Sequence, residues 1–274
     1  MSTIPVACVQ MTTGIMPEAN LTTATELIRR AAAGGARFIA TPEMTGCMDI
    51  KGGDRRNAVF REAADPLVRA FSQLAKDLNV WLLIGSLAVS AESDSRMANR
   101  SLLFAPNGQT VARYDKIHMF DVEVGDGQTY RESNTYRPGS KAVIAKTDFA
   151  AIGMSICYDL RFPHLYRALA QNGAQILTCP AAFTRITGEA HWHALLRARA
   201  IETGSYVIAP AQSGLHEDGR ETYGHSLIIT PWGEIIAESQ ITGTDIIHAE
   251  IDLNAVSVAR ARIPSLTKDQ EFSL

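Results

Sequence analysis

Ala151-Ile152-Gly153-Met154-Ser155-Ile156-Cys157-Tyr158-Asp159-Leu160-Arg161-Phe162-Pro163 is the stretch whose reading decides the fold. Residues 151–156 are an apolar run that reads as a buried strand, and Tyr158-Asp159 stops it at once. Pro163 suits the first position of a helix, so the segment reads strand, sharp turn, helix. Cys157 then lies at the carboxyl edge of a sheet, close to a helix N-terminus. That place reads as partly exposed and electropositive, which favours thiolate, the nucleophilic form. Taken alone, a free cysteine reads equally as a core residue that fills space.

Outward from this segment the pattern alternates. Ile4 to Gln10 reads as a buried strand. Glu18 to Ala33 reads as a helix with Leu21, Ala24, Leu27, Ile28 and Ala31 on one face, ended by Gly34-Gly35. Arg37 to Thr41 is a short strand with Glu43 just past its end. Asp65-Pro66 starts a second helix, and Val80 to Gly85 is another strand. Pro106-Asn107-Gly108 marks a hairpin between Ser101–Ala105 and Thr110–Tyr114, and Val143–Lys146 pairs naturally with Ala151–Ile156. Beyond Cys157 come a helix over Pro163–Asn172, a strand over Gln175–Cys179, a helix over Glu189–Thr203 and a strand over Tyr206–Ala209. Hairpins return in the last third, over His225–Thr230, Ile235–Glu238 and Asp245–Ile251. No linker or low-complexity tract interrupts the chain, so residues 1–274 are expected to form one domain. The tail, about 255–274, is expected on the surface or on a partner subunit. Many strands with few helices predict an α/β fold of four layers, an α-β-β-α sandwich with two mixed sheets face to face. Strands such as Trp81-Leu82-Leu83-Ile84, apolar on both faces, fit that arrangement.

Bulk properties exclude several classes. The chain has 274 residues, 46% of them hydrophobic, enough for a large core, and a formal net charge of -3 with acids and bases interspersed. No basic stripe points to nucleic acid, no cationic amphipathic helix to a membrane surface, and no apolar run approaches the roughly 20 residues of a membrane span. The four cysteines, Cys8, Cys47, Cys157 and Cys179, lack metal or redox spacing and read as reduced thiols in a cytoplasmic protein. The start of the chain has no basic region before an apolar one, so no secretory signal is expected. There is no glycine-rich nucleotide loop. His191 and His193 point to different faces of a helix, and with no carboxylate or cysteine seen to complete a set, no metal is expected.

Glu43, Lys116 and Cys157 each follow a β-like segment, and so are able to share one sheet edge. Together they suffice for acyl transfer: a base for the thiol proton, a nucleophile, and a cation for the oxyanion. The N–H of Tyr158 is a plausible second oxyanion donor. Separately, Glu43 reads as a surface carboxylate and Lys116 as a solvated loop lysine, and spacing alone does not bring them together.

Pro42-Glu43-Met44, Tyr114-Asp115-Lys116-Ile117-His118 and the segment around Cys157 resemble the three signature regions of the nitrilase superfamily of carbon–nitrogen hydrolases, and the likeness runs from about Val6 to about Pro264. The resemblance implies a Glu-Lys-Cys triad on an α-β-β-α sandwich, a thioester intermediate, and no cofactor. It implies Glu43 as general base and acid, Lys116 as oxyanion stabiliser and Cys157 as nucleophile. It also implies Glu132, in Arg131-Glu132-Ser133, as a second glutamate that supports Lys116. Ala181-Ala182-Phe183-Thr184, Thr187 to Trp192, Leu196 to Glu202 and Tyr223-Gly224-His225-Ser226 are similar to the branch of deaminated-glutathione amidases and ω-amidases. The run Glu123 to Asn134 lies nearer the former.

That branch implies a small-molecule substrate, the linear amide of a 2-oxoglutaramate-like acid, whose carboxylate needs a cation. Arg161 and Arg185 are the candidates, because guanidinium meets carboxylate as a bidentate fork. Arg161 reads equally as a tie between the helix start and Asp159. Tyr158, Phe183 and Thr184 are expected in the pocket. The helix carrying Trp192, Leu195 and Leu196 is expected at a helix–helix contact, and the resemblance implies a homodimer or higher homo-oligomer. N-carbamoyl amidohydrolase and general ω-amidase activities remain open. An inert interaction module is disfavoured by the complete set of reactive residues, and a doubly wound thiol hydrolase of the isochorismatase type by the hairpin-rich final third.

Overall fold

A computed structural model describes residues 3–49, 60–90, 95–125 and 127–273. Asp126, inside the run that carries part of the resemblance, and the terminal Met1, Ser2 and Leu274 lie outside the described residues. The first half of the chain contains β1 (Thr3–Gln10), α1 (Pro17–Ala33), β2 (Phe38–Ala40), α2 (Pro66–Leu78), β3 (Trp81–Ser90), β4 (Met97–Phe104) and β5 (Thr110–Asp115). A small ribbon follows, β6 (Asp121–Glu123) and β7 (Thr129–Arg131). The second half contains β8 (Val143–Lys146), β9 (Ala151–Met154), α3 (Pro163–Gln171), β10 (Ile176–Thr178), α4 (Arg185–Thr203) and β11 (Tyr206–Ala209). A second ribbon, β12 (Ser213–Leu215) and β13 (Glu221–Tyr223), precedes β14 (Leu227–Ile229), β15 (Ile235–Glu238), β16 (Asp245–Asp252) and α5 (Asn254–Arg262).

The strands build two six-stranded mixed sheets, ordered β16-β1-β2-β3-β4-β5 and β15-β14-β11-β10-β9-β8. Each has a parallel trio flanked by antiparallel strands. Side-chain alternation explains the layers. Val6, Cys8, Trp81 and Leu83 join the core between the sheets, while Ala7, Val9, Leu82 and Ile84 face α1 and α2. A strand stretch buried on both faces has to be apolar, as Trp81 to Ile84 in β3 are. The sandwich is therefore the α-β-β-α arrangement expected.

α2 begins and ends where its caps dictate. The Asp65 carboxylate accepts from the N–H groups of Leu67 (2.7 Å) and Val68 (3.4 Å), and Asn79 closes α2 in the left-handed region. Two expectations shift. β16 does not pair with the hairpin that precedes it. It crosses to the other sheet and lies antiparallel to β1, from Thr3↔Asp252 to Gln10↔Asp245. The expected surface tail holds α5, which buries Val256 and Ala259, and a short turn whose Leu266 is also buried.

Strand direction sets up the site. β3 and β5 both run antiparallel to β4, and β2 runs parallel to β3. Glu43 after β2 and Lys116 after β5 therefore leave the same rim. In the other sheet β9 and β10 are parallel, so Cys157 and Ala182 leave one rim as well.

Candidate active site

The loop after β2 is built to hold Glu43 inward. Thr41 Oγ1 lies 2.7 Å from Thr45 Oγ1, and it accepts from the Gly85 N–H at 3.0 Å. Gly85 sits where β3 bulges, and a Cβ there would lie 2.1 Å from the Thr41 carbonyl oxygen. Only glycine lets the strand pass this close beneath the loop. Glu43 is 4% exposed. Its Oε1 accepts from Lys116 Nζ (2.8 Å) and Asn99 Nδ2 (3.0 Å), and its Oε2 accepts from the Ala182 N–H (3.0 Å).

Lys116, 2% exposed, is clasped by two carboxylates. Besides Glu43 it donates to Glu132 Oε2 at 2.8 Å and Oε1 at 3.0 Å. Glu132 lies in the turn after β7 and is fixed by the Phe120 N–H at 2.7 Å. Burial alone would strip Lys116 of its proton, but Glu132 and then Glu43 hold its pKa well above the usual value, so it stays an ammonium. Burial likewise pushes the Glu43 carboxyl up, yet Lys116, with hydrogen bonds from Cys157 and Asn99, carries it below the ordinary range. Glu43 is therefore an ionised carboxylate beside a neutral thiol.

Cys157 differs from the sequence-based expectation. The helix does start at Pro163, but the cysteine before it is not a partly exposed thiolate. A tight helical turn, Cys157–Arg161, separates β9 from α3, and the cysteine is buried. Burial raises its thiol well above the usual value, the neighbouring Glu43 charge raises it further, and Lys116 only partly opposes them. The residue holds φ +49°, a region that a side chain with Cβ occupies at a cost of about 1–3 kcal/mol. Its N–H donates to Pro180 O at 2.9 Å, and its thiol shares the cavity with the Glu43 carboxylate, close enough for each to shift the other's titration. Asp159, fully buried, anchors this turn. It accepts from Ile156 N–H (2.9 Å), Tyr114 O–H (2.6 Å) and His118 N–H (3.1 Å), and His118 Nδ1 lies 2.7 Å away. One carboxylate thus binds the cysteine turn to the lysine loop across the two sheets.

These residues open onto a cavity of about 110 Å³, lined by Glu43, Lys116, Glu132, Cys157, Tyr158 and Phe183 among the expected residues. Three expected substrate contacts are not in its lining. Thr184 Oγ1 bonds to Thr187 Oγ1 at 2.8 Å, and Thr187 is the one that lines the cavity. Arg185 is turned to the surface and ion-paired with Glu189 and Glu221, both at 2.9 Å. The Arg161 guanidinium lies over the Phe183 and Tyr158 rings, 5.3 and 6.0 Å from their centres, behind the pocket wall. Its alternative partner, Asp159, is taken by other groups.

Sequence reasoning missed Asn99, Arg220 and the reach of Gln212, whose Nε2 donates to the Glu43 carbonyl at 2.8 Å. Asn99 bridges both glutamates, at 3.0 and 3.1 Å. Its signal was available as an amide inside the otherwise buried β4. Arg220 sits in a polar turn that gives no local hint. The histidines also diverge from expectation. His191 meets Arg161, whereas His193 on α4 lies 3.0 Å from Glu238 Oε1, which His225 Nδ1 also reaches at 2.8 Å. A carboxylate does therefore sit beside His193, and the three groups satisfy one another as a latch between α4 and β14–β15.

A double-sheet sandwich whose rim gathers a thiol, a buried carboxylate and a buried ammonium fits a cysteine amidohydrolase. The carbon–nitrogen hydrolase family model matches residues 5–261, and the chain belongs to that family, in the nitrilase superfamily. It hydrolyses linear amide C–N bonds. A Yersinia enterocolitica protein named deaminated glutathione amidase is 38% identical over 270 residues, 98% of this chain and 93% of that one. A Synechocystis protein of the same name is 42% identical over 265 residues, 95% of this chain and 96% of its own. The crystal structure of the C. elegans NitFhit protein superimposes with a TM-score of 0.91 at 34% identity, over 98% of this chain and 66% of that longer polypeptide. Among the described residues no helix is long and apolar enough to cross a membrane.

Proposed function

We propose that this enzyme cleaves deaminated glutathione, or a closely related amide of a 2-oxo dicarboxylic acid, through a thioester on Cys157. The observation that carries the reading is the double engagement of one buried carboxylate. Glu43 touches the Lys116 ammonium at 2.8 Å and shares one cavity with the Cys157 thiol, whose titration it shifts. Glu43 takes the thiol proton as sulfur attacks the amide carbon, and the carbonyl π electrons move to oxygen. Lys116 and the Tyr158 N–H stabilise that oxyanion, where one donor is worth about 2.7–4 kcal/mol. As the tetrahedral species collapses, the C–N bond breaks and Glu43 returns the proton to the departing amine. Glu43 then takes a proton from water, the hydroxide oxygen adds to the thioester, and the acid leaves as the thiol regains its proton. Glu132 and Asn99 position Lys116 and Glu43. The relatives named deaminated glutathione amidase support the acyl donor.

Two measurements test this. In the wild type quenched during turnover, peptide-resolved mass spectrometry is expected to find the acyl group on Cys157. Cys47 lines the same cavity, and an adduct there instead would overturn the assignment. In a panel of 2-oxo amides, carbamoyl amino acids and deaminated glutathione, the last is expected to give the highest kcat/KM. A carbamoyl substrate ahead of it would move the enzyme to another branch.

We also infer a homo-oligomer. Trp192 and Leu196, expected at a helix–helix contact, are buried in the protein's own core. Outside them, Ile201 adjoins the turn at Gly233, Arg262 lies 5.7 Å over the Trp232 ring, and Ile263 follows, an exposed apolar face that a second copy would cover. Trp232→Glu is expected to sediment as monomer. A wild-type chain that already sediments as monomer at micromolar concentration would end this inference.

A further inference from the structure

Among the described residues three cations line the cavity, and two are already neutralised. Lys116 lies between Glu43 and Glu132, and Arg131 donates to the Tyr130 carbonyl (2.8 Å) and to Glu123 (2.9 Å). Arg220 is different. Its Nε is buried with no hydrogen-bond partner, and among the described residues its guanidinium forms no ion pair; it rests 5.6 Å from the centre of the Tyr130 ring. The turn that delivers it is rigid. His216 N–H donates to Arg220 O at 2.8 Å, Arg220 N–H donates to Asp218 Oδ1 at 3.0 Å, and His216 Nε2 lies 2.7 Å from Thr222 Oγ1. The Arg220 charge is also felt at Tyr136 on the cavity wall, where it works against the burial that raises the phenol.

A buried donor of a charged group without an acceptor is costly, and the cost disappears when an anion arrives. The rest of the lining makes a cation necessary. Without Arg220 the described lining sets three carboxylates, Glu43, Glu132 and Asp49, against two cations, Lys116 and Arg131, a net negative charge that disfavours an acidic substrate. We propose that Arg220 is the carboxylate-binding residue of this site, taking the role that the sequence suggested for Arg161 or Arg185. This rests on the amidase reading above and adds to it which residue recognises the substrate's carboxylate: a guanidinium fork from the β12–β13 turn. The carboxylate belongs to the acyl part or to the amine that leaves.

The test uses the full chain, wild type and the variants Arg220→Met and Arg220→Lys, each checked for an unchanged melting temperature. kcat/KM is measured on the monoamide of 2-oxoglutaric acid, on an uncharged aliphatic amide of equal length, and on deaminated glutathione with its terminal carboxylate free or amidated. Arg220→Met is expected to cut the preference for the carboxylate-bearing amide over the uncharged one by about 10- to 100-fold, mainly through KM, with partial recovery in Arg220→Lys. A loss on the monoamide places the anion in the acyl part. A loss confined to deaminated glutathione with a free terminus places it on the leaving amine. An unchanged preference overturns the proposal. Calorimetry in the Cys157→Ala background separates this from the amidase reading, because it needs no turnover. Binding of 2-oxoglutarate, or of the leaving dipeptide, is expected to weaken at least about tenfold with Arg220→Met. If neither weakens, Arg220 is not the anchor, whatever the enzyme hydrolyses.

Discussion

Replacing Cys157 with alanine is expected to lower amide hydrolysis by at least about 10⁴-fold while moving the unfolding free energy by no more than about 1 kcal/mol. The side chain lost is small, and its neighbours Glu43, Ala182 and Pro180 are held by bonds that do not pass through sulfur. Steady-state release of ammonia or amine, paired with thermal unfolding, checks both halves. Activity above a few per cent of wild type would remove Cys157 from the reaction. The pH profile of the wild type carries the same signature. Glu43 titrates below the ordinary carboxylate range and Cys157 above the ordinary thiol range. Between them the resting pair is carboxylate and thiol, so kcat/KM is expected to be flat across neutral pH. It falls only as acid protonates Glu43, and it shows no climb near pH 8.5 such as a free thiol would give.

Lys116→Met is expected to abolish activity and to destabilise the fold, by about 3–5 kcal/mol at neutral pH. The second effect follows from burial. Removing the ammonium leaves Glu43 and Glu132 facing one another with only Asn99 between them. The loss should shrink as pH falls, because protonating either carboxylate relieves it. The ammonium's own contribution runs the other way: its pKa is raised in the fold, so it is complete at neutral pH and is lost only as pH rises through that raised value. The double variant Lys116→Met/Glu132→Gln is expected to regain much of the stability and none of the turnover. Urea unfolding at pH 5 and pH 7.5 measures this, and a double variant no more stable than the single one would show that charge is not the cause.

How much was legible follows the range of each interaction. α1 and α2 could be read because caps and apolar stripes are local. Asp65-Pro66 and Gly34-Gly35 announce their own helix ends. The strand leading to Cys157 could be read because it is apolar on both faces and breaks at one residue. The partner of β16 could not, because its register with β1 joins residues some 240 positions apart and no local pattern encodes it. Glu43 and Lys116 were suggested by chemistry and resemblance, but their 2.8 Å contact spans 73 residues of chain. The state of Cys157 was misread for a related reason. Strand and turn are local features, whereas the burial that keeps the thiol protonated comes from the whole rim. Arg161 and Arg185 were attractive as arginines near the right motifs. Arg185 found Glu189 and Glu221 on the surface, Arg161 found two aromatic rings, and an arginine from a polar turn reached the cavity instead.

Asp159 takes no part in the bond-making, yet it determines where the sandwich is able to move. Thermal sliding of one sheet over the other needs a pivot, and the four contacts of this buried carboxylate put it at the reactive rim. Loosening at the distant strands is then expected to leave the sulfur-to-ammonium spacing almost constant, so the enzyme keeps its working geometry well into the onset of melting. Slow amide exchange at Ile156 and His118, outlasting that of β15, would be the trace of such a pivot.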